Sequence, residues 1–261
     1  MKLKTTHSML LAALFAACGT AQAQTAAPAP APAAASAFAF NVGVVTDYRF
    51  RGVSQSRFRP ALQGGVDWSH DSGIYLGIWA STIRILEDIP GGKGPVEIDF
   101  YGGYKGKIND TFSYDLGVLR YQYPRENFGT TPNTTELYGA LSAGPATVKY
   151  SHSISKETFG VANSRGTYYL EAAATFDTGI WGLTVTPHIG YQKFDGSTAG
   201  VSNDFATYTD YSLALGKDLG NGFTASLVAY KTDADRAFYA SGANGKFLGK
   251  SGLVLGAKYS F

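Results

Sequence analysis

The sequence predicts an all-β fold: a transmembrane antiparallel β-barrel of 12 strands, with 10 or 14 strands as the alternatives. Three observations carry this expectation. Segments of about ten residues repeatedly alternate apolar with polar side chains, as strands with two different faces do. The connections between them alternate short and long. Aromatic residues gather on the apolar face near the segment ends. Composition agrees, because 32 Gly, 17 Tyr and 16 Phe against 2 Met favour strands and turns over helices. Beyond the N-terminal segment no apolar run nears the roughly 18 residues of a membrane helix. A barrel needs only every second strand residue to be apolar.

The chain begins with Lys2 and Lys4, an apolar run from Met9 to Ala17 and the small-x-small site Ala21-Gln22-Ala23. That is the layout of a signal peptide over residues 1–23. Phe15-Ala16-Ala17-Cys18 loosely resembles a lipoprotein processing site, with Phe a poor fit at its first position. If cleavage follows Ala23, the chain's single cysteine leaves with the signal, and disulfides and thiol chemistry leave with it. Residues 24–37 are rich in Ala and Pro and read as a flexible linker. The barrel is expected over 38–261. Loss of Lys2 and Lys4 reduces the 22 basic residues to match the 20 acidic ones. No basic block suggests nucleic acid.

Twelve strands follow in order. Strand one, Phe38 to Arg51, sets Phe40, Val42, Val44, Tyr48 and Phe50 against Asn41, Gly43, Asp47, Arg49 and Arg51. Strand two, Ala61 to His70, sets Leu62, Val66 and Trp68 against Gln63, Gly65 and Asp67. Strand three runs from Ile74 to Ile83. Strand four, Val96 to Gly106, alternates most clearly, with Val96, Ile98, Phe100 and Tyr104 against Glu97, Asp99, Tyr101 and Lys105. Strand five spans Thr111 to Tyr123 and carries Asp115 on its polar face. Strand six, Thr134 to Gly144, carries Glu136, and the short strand seven, Ala146 to Ser153, carries Lys149. Strand eight, Thr167 to Phe176, places Glu171 on the polar face, and strand nine, Leu183 to Lys193, places His188 there. Pro187 cannot donate to a ladder, so a bulge is expected at that point. Strands ten, eleven and twelve are Thr207 to Lys217 with Asp210, Gly222 to Thr232, and Ser251 to Phe261 with Lys258.

Connection lengths add a global constraint. Asp71 to Gly73, Lys107 to Asp110, Gly144-Pro145, Asp177 to Gly182 and Asp218 to Asn221 are short. Gly52 to Pro60, Arg84 to Pro95, Pro124 to Asn133, Ile154 to Gly166, Phe194 to Ala206 and Asp233 to Lys250 are long. Twelve strands with both termini on the short-turn side require this segregation, and outer-membrane barrels have short periplasmic turns and long external loops. Apolar-face Trp68, Phe112, Phe176, Phe223, Tyr259 and Phe261 fall at the short-turn end. Tyr48, Phe50, Tyr150, Tyr168 and Tyr191 fall at the other, so two aromatic girdles are expected. Locally, a soluble sandwich with these apolar faces turned inward has the same alternation.

The stretch from Asn41 through Asp47-Tyr48-Arg49-Phe50-Arg51-Gly52-Val53-Ser54 to Gln55 resembles the opening of the TorF-like porin family, also catalogued as the Gcw-type conserved hypothetical outer-membrane proteins. Pro60 to Asp67, Gly73 to Ser81, Glu97 to Tyr104 and Tyr121 to Pro124 are similar to the same family, in order. The resemblance covers the chain after Ala37. It implies a pore in the bacterial outer membrane, and it assigns neither substrate nor catalytic residue; with only isolated histidines in the mature chain, no enzymatic activity is expected. The ending Tyr259-Ser260-Phe261 resembles the terminal signal of outer-membrane barrels, which implies delivery to the barrel-assembly machinery.

The polar face is the candidate functional surface. Its expected pore-lining members are Asp47, Arg49, Arg51, Asp67, Glu97, Asp99, Lys105, Asp115, Glu136, Lys149, Glu171, His188 and Asp210. Opposed charges across a narrow lumen orient and filter polar solutes; equally, they pair with one another and fill the interior. The expected function is passive diffusion of small hydrophilic solutes or ions, with at most a weak cation preference. The expected partners are outer-membrane lipid, lipopolysaccharide and such solutes, with no cofactor, no metal and no nucleic acid. Two rivals stand beside it: a plugged structural or adhesive barrel, with Asp233 to Lys250 as the plug, and an outer-membrane hydrolase using His152. Parity puts His152 on the apolar face, away from Ser151 and Ser153. Glu97 and Asp99, two apart on one face, make only a weak metal site. Arg51, Arg57 and Arg59 mark the first loop as an external anion contact.

Overall fold

A computed structural model describes residues 37–88, 92–126 and 129–261. The signal-peptide expectation, Cys18 and all of the linker except Ala37 lie outside those residues. Twelve strands form one closed sheet: β1 (Phe38–Val45), β2 (Ala61–Ser69), β3 (Ile74–Thr82), β4 (Val96–Lys107), β5 (Phe112–Gln122), β6 (Thr134–Ala143), β7 (Ala146–Ser153), β8 (Tyr168–Ala174, resumed over Phe176–Asp177), β9 (Leu183–Lys193), β10 (Tyr208–Gly220), β11 (Phe223–Thr232) and β12 (Gly252–Ser260). Each is antiparallel to its neighbours in sequence, and β12 closes on β1 with Asn41 opposite Ser260 and Val45 opposite Gly256. Closure gives every strand two partners and leaves no edge. Phe261 extends the seam, exchanging backbone hydrogen bonds with Phe40 at 2.9 and 3.0 Å.

The apolar faces point outward. Leu62, Leu76, Leu116, Leu137, Leu213 and Leu253 are all exposed, Leu253 by 69%. A soluble sandwich would bury them, so the outward belt settles the ambiguity that alternation alone leaves open. At the short-turn end Phe223, Tyr259, Phe261 and Phe40 stack in series at 4.5, 5.2 and 5.7 Å. At the long-loop end Tyr150, Tyr168 and Tyr191 form a similar outward row.

Two local expectations are corrected. Strand one does not reach Arg51. It ends at Val45, the backbone of Thr46 makes a last bond to Leu255, and the chain then turns into the barrel. Tyr48 and Phe50 are therefore buried, not part of the outer girdle. At Pro187 there is no bulge. Pairing to β10 continues through Pro187 opposite Leu213 without a shift. The ladder to β8 lapses after Ala173–His188 and resumes at Phe176–Val185 in the same register, as a missing N–H requires. The ladder does shift register between Asp218 and Gly220.

Candidate functional site

The first long connection folds into the lumen as a hairpin. Arg49–Phe50 pairs with Val53–Ser54 across the two-residue turn Arg51-Gly52. Both turn residues have left-handed φ, +46° and +79°, as a tight hairpin turn of this twist requires. Gly52 meets a second demand: a Cβ there would lie 2.5 Å from Thr232 Cγ2 and 2.9 Å from Asp210 Cβ. The Asp47 carboxylate ties the hairpin to itself. It accepts from Arg49 Nε at 2.7 Å, from the Ser54 hydroxyl at 2.5 Å and from the Phe58 amide at 3.2 Å.

The hairpin crosses to the far wall. Arg51 is fully enclosed, and its guanidinium donates to Glu136 Oε1 and Oε2 on β6 at 3.0 and 2.7 Å and to Gln192 Oε1 on β9 at 2.5 Å. It also lies 4.1 Å from the Tyr169 ring on β8. Burial acts to lower the Arg51 pKa, but Glu136, Tyr121 and Tyr169 together hold the group above its ordinary value. Tyr48 donates to Glu97 Oε1 on β4 at 2.8 Å and packs edge-on against Trp79. Arg49 donates to the Lys250 carbonyl at 2.7 Å. The last loop thus caps the hairpin from above, with Leu248 and Ala234 packed on Val53. The first connection fills the lumen where Asp233 to Lys250 was expected to.

The wall carries the other candidates inward. Asp67 accepts from Tyr101 at 2.5 Å, and Asp115 accepts from Tyr75 at 2.6 Å, whose hydroxyl also meets that of Tyr138. Lys105 lies over the Tyr75 ring and Lys149 over the Tyr138 ring. Glu171, His188 and Asp210 form a chain, His188 Nε2 to Glu171 at 3.1 Å and Nδ1 to Asp210 at 3.6 Å, and Tyr169 donates to Asp210 at 2.8 Å. Glu97 and Asp99 are buried on β4. Asp47, Arg49 and Arg51 are brought into the lumen as well, but on the hairpin and not on a strand. His152 sits outside beside Tyr150, as its parity implied.

Charge is distributed unevenly. Strands β4 to β10 hold most of the ionisable side chains that face the lumen. The opposite wall presents Asn41, Gly43, Gly65, Ser226 and Gly256. Toward the short turns Gly43, Gly65, Asp67, Lys105 and Lys258 are half-buried, so water enters the lumen from that end and meets the hairpin above. On the long-loop side of the hairpin lies an apolar cavity of about 270 Å³, floored by Phe50 and Val53 and walled by Phe159, Phe194 and Tyr239. The expected cluster of external bases is absent. Arg51 is inside, and Arg57 pairs with Glu87 and with Asp88, the latter at 2.8 Å.

Sequence reasoning missed Tyr48, Gly52, Gln192 and Tyr169 as members of this assembly. One signal pointed to the first two: Asp47 to Gly52 alternates the charges of Asp47, Arg49 and Arg51 with the rings of Tyr48 and Phe50 and ends in a turn glycine.

A family model described as a bacterial protein of unknown function, Gcw_chp, matches residues 29–261. The chain belongs to the Gcw_chp family. Among solved structures it is similar to the KdgM porin in complex with disordered oligogalacturonate, with 10% identity, a TM-score of 0.55, and coverage of 85% of this chain and 99% of that one. A second likeness is to a membrane protein solved in work on in-meso crystallisation, with 6% identity, a TM-score of 0.50, and 86% and 83% coverage. At such identities the likeness is one of fold. No curated protein sequence matches. Of the segments that carried the resemblance, Asn41 to Gln55 includes the lumen hairpin.

Proposed function

We propose that this Gcw_chp barrel is a porin-like channel of the bacterial outer membrane whose path is closed by the 47–56 hairpin. It would pass small hydrophilic solutes or ions. A closed barrel with an outward apolar belt and a charge-lined lumen supports this reading, and the inserted hairpin carries its gated form. The TorF-like resemblance is consistent with it. The short turns would face the periplasm, the long loops would meet lipopolysaccharide, and Tyr259 with Phe261 would present the assembly signal. The enclosed Arg51–Glu136 pair favours a second reading, a permanently plugged structural barrel.

Planar-bilayer recording separates the two. The mature chain, refolded and shown to be heat-modifiable, should give discrete current steps in salt with long closed intervals. Folded barrels that stay silent at every voltage would reject the channel and leave the plugged barrel.

A further inference from the structure

Among the described lumen carboxylates, Glu97 and Asp99 combine the lack of an ion pair with buried oxygens that nothing bonds. Asp47 has Arg49, Glu136 has Arg51 and Glu171 has His188. Glu97 and Asp99 face inward together, two residues apart on β4, and are 0% and 2% exposed. Among the described residues neither makes an ion pair. Glu97 Oε1 accepts from Tyr48, but Glu97 Oε2 and Asp99 Oδ1 are buried with no hydrogen-bond partner. Their surroundings are aromatic: in the ladder Asp99 lies between Trp79 on β3 and Tyr121 on β5. Two buried, ionised carboxylates without a cation are strongly unfavourable, so the pair takes up either protons or a positive occupant.

We infer that Glu97 and Asp99 form a binding site for a hard divalent cation of the Ca²⁺ class, held through Glu97 Oε2 and Asp99 Oδ1 beneath Tyr48. Two carboxylates match a double positive charge. An all-oxygen donor set without His or Cys selects hard cations over zinc or copper. Water completes a Ca²⁺ shell of 6–8 oxygens, and Ca²⁺ tolerates the irregular geometry that Mg²⁺ does not. The route in is from the short-turn end. Asp67, level with Tyr101 two residues below Asp99 on β4, is half-buried and starts a file of carboxylates that leads upward. Bound cation would neutralise the seat on which Tyr48 rests and so hold the hairpin down. This last consequence deepens the channel reading and rests on it, whereas binding does not.

Terbium luminescence tests binding. Tb³⁺ shares the oxygen preference of Ca²⁺ and emits when sensitised by nearby Tyr or Trp, which Tyr48, Tyr121 and Trp79 supply. The refolded mature barrel, stripped with chelator in a neutral detergent, should show saturable emission at one ion per barrel. Ca²⁺ should compete and choline should not. Glu97→Gln/Asp99→Asn should weaken binding about tenfold or more, while Asp218→Asn at the exposed end of β10 should not. Asp99→Asn alone should weaken binding too, which keeps the test available if the double variant does not fold. No saturable emission from folded protein, or emission unchanged in these variants, overturns the proposal. A barrel that binds Tb³⁺ but never conducts rejects the channel and leaves the cation site standing.

Discussion

Arg51 holds the hairpin across the lumen, and replacing it with Met should release the hairpin. The guanidinium bonds both oxygens of Glu136 and the Gln192 side chain, and it stacks on Tyr169. In Arg51→Met, Glu136 keeps only the Tyr121 hydroxyl at 3.3 Å, although its side chain is 1% exposed. Breaking a buried pair by removing one partner costs about 3–5 kcal/mol. That cost falls on the state with the hairpin docked, because an undocked hairpin returns Glu136 to water. The ratio of open to closed barrels should therefore rise by about two to three and a half powers of ten. Bilayer recordings read this as the fraction of time spent conducting. Arg51→Met/Glu136→Gln removes the stranded charge and should move the ratio most of the way back. Dwell times unchanged in folded Arg51→Met, or a double variant as open as the single, would refute the reasoning.

Three further outcomes follow from the same structure. Gly52→Ala puts an L residue at φ +79° with its Cβ 2.5 Å from Thr232, at a cost above the roughly 1–2 kcal/mol of left-handed backbone alone; faster hydrogen exchange at the Ser54 and Gln55 amides would report the loosened hairpin, and unchanged exchange would contradict it. Leu116→Arg, on the outward belt at mid-strand, should destabilise the barrel in lipid vesicles by about 2–4 kcal/mol in denaturant titration, and an unchanged midpoint would mean that this face does not meet lipid. Phe261→Ala loses the stacks on Phe40 and Tyr259 while the backbone seam remains, so refolded barrels should lose only about 0.5–1.5 kcal/mol. The amount assembled in the outer membrane of cells should fall much further, and equal assembly would remove Phe261 from the targeting signal.

The wall of the barrel was legible because each strand must satisfy two solvents at once. Val96 to Gly106 has no other way to place Ile98 and Phe100 outside and Glu97 and Asp99 inside. The segregated connection lengths then determined the strand count. The plug was not legible for the same physical reason. Alternation with period two marks any extended segment with two different surroundings, and Asp47 to Arg51 continues the pattern of Phe38 to Val45 while crossing the lumen. Tyr48 and Phe50 meet buried rings where Val42 and Val44 meet the outer surface. Parity therefore placed Arg49 and Arg51 in the lumen correctly but on the wrong element. The partners of Arg51, Glu136 and Gln192, lie 85 and 141 residues away in sequence, and only closure of the barrel brings them together.

The most direct test of the central claim is the current through a barrel whose 47–56 segment is replaced by a Gly-Ser linker joining β1 to β2. The hairpin supplies Tyr48, Arg49 and Arg51, so its removal should leave a folded, heat-modifiable barrel that conducts steadily, where the intact protein shows long closed intervals. A folded replacement variant as silent as the intact chain, or an intact chain that conducts as steadily as the variant, would contradict a channel gated by its own first loop.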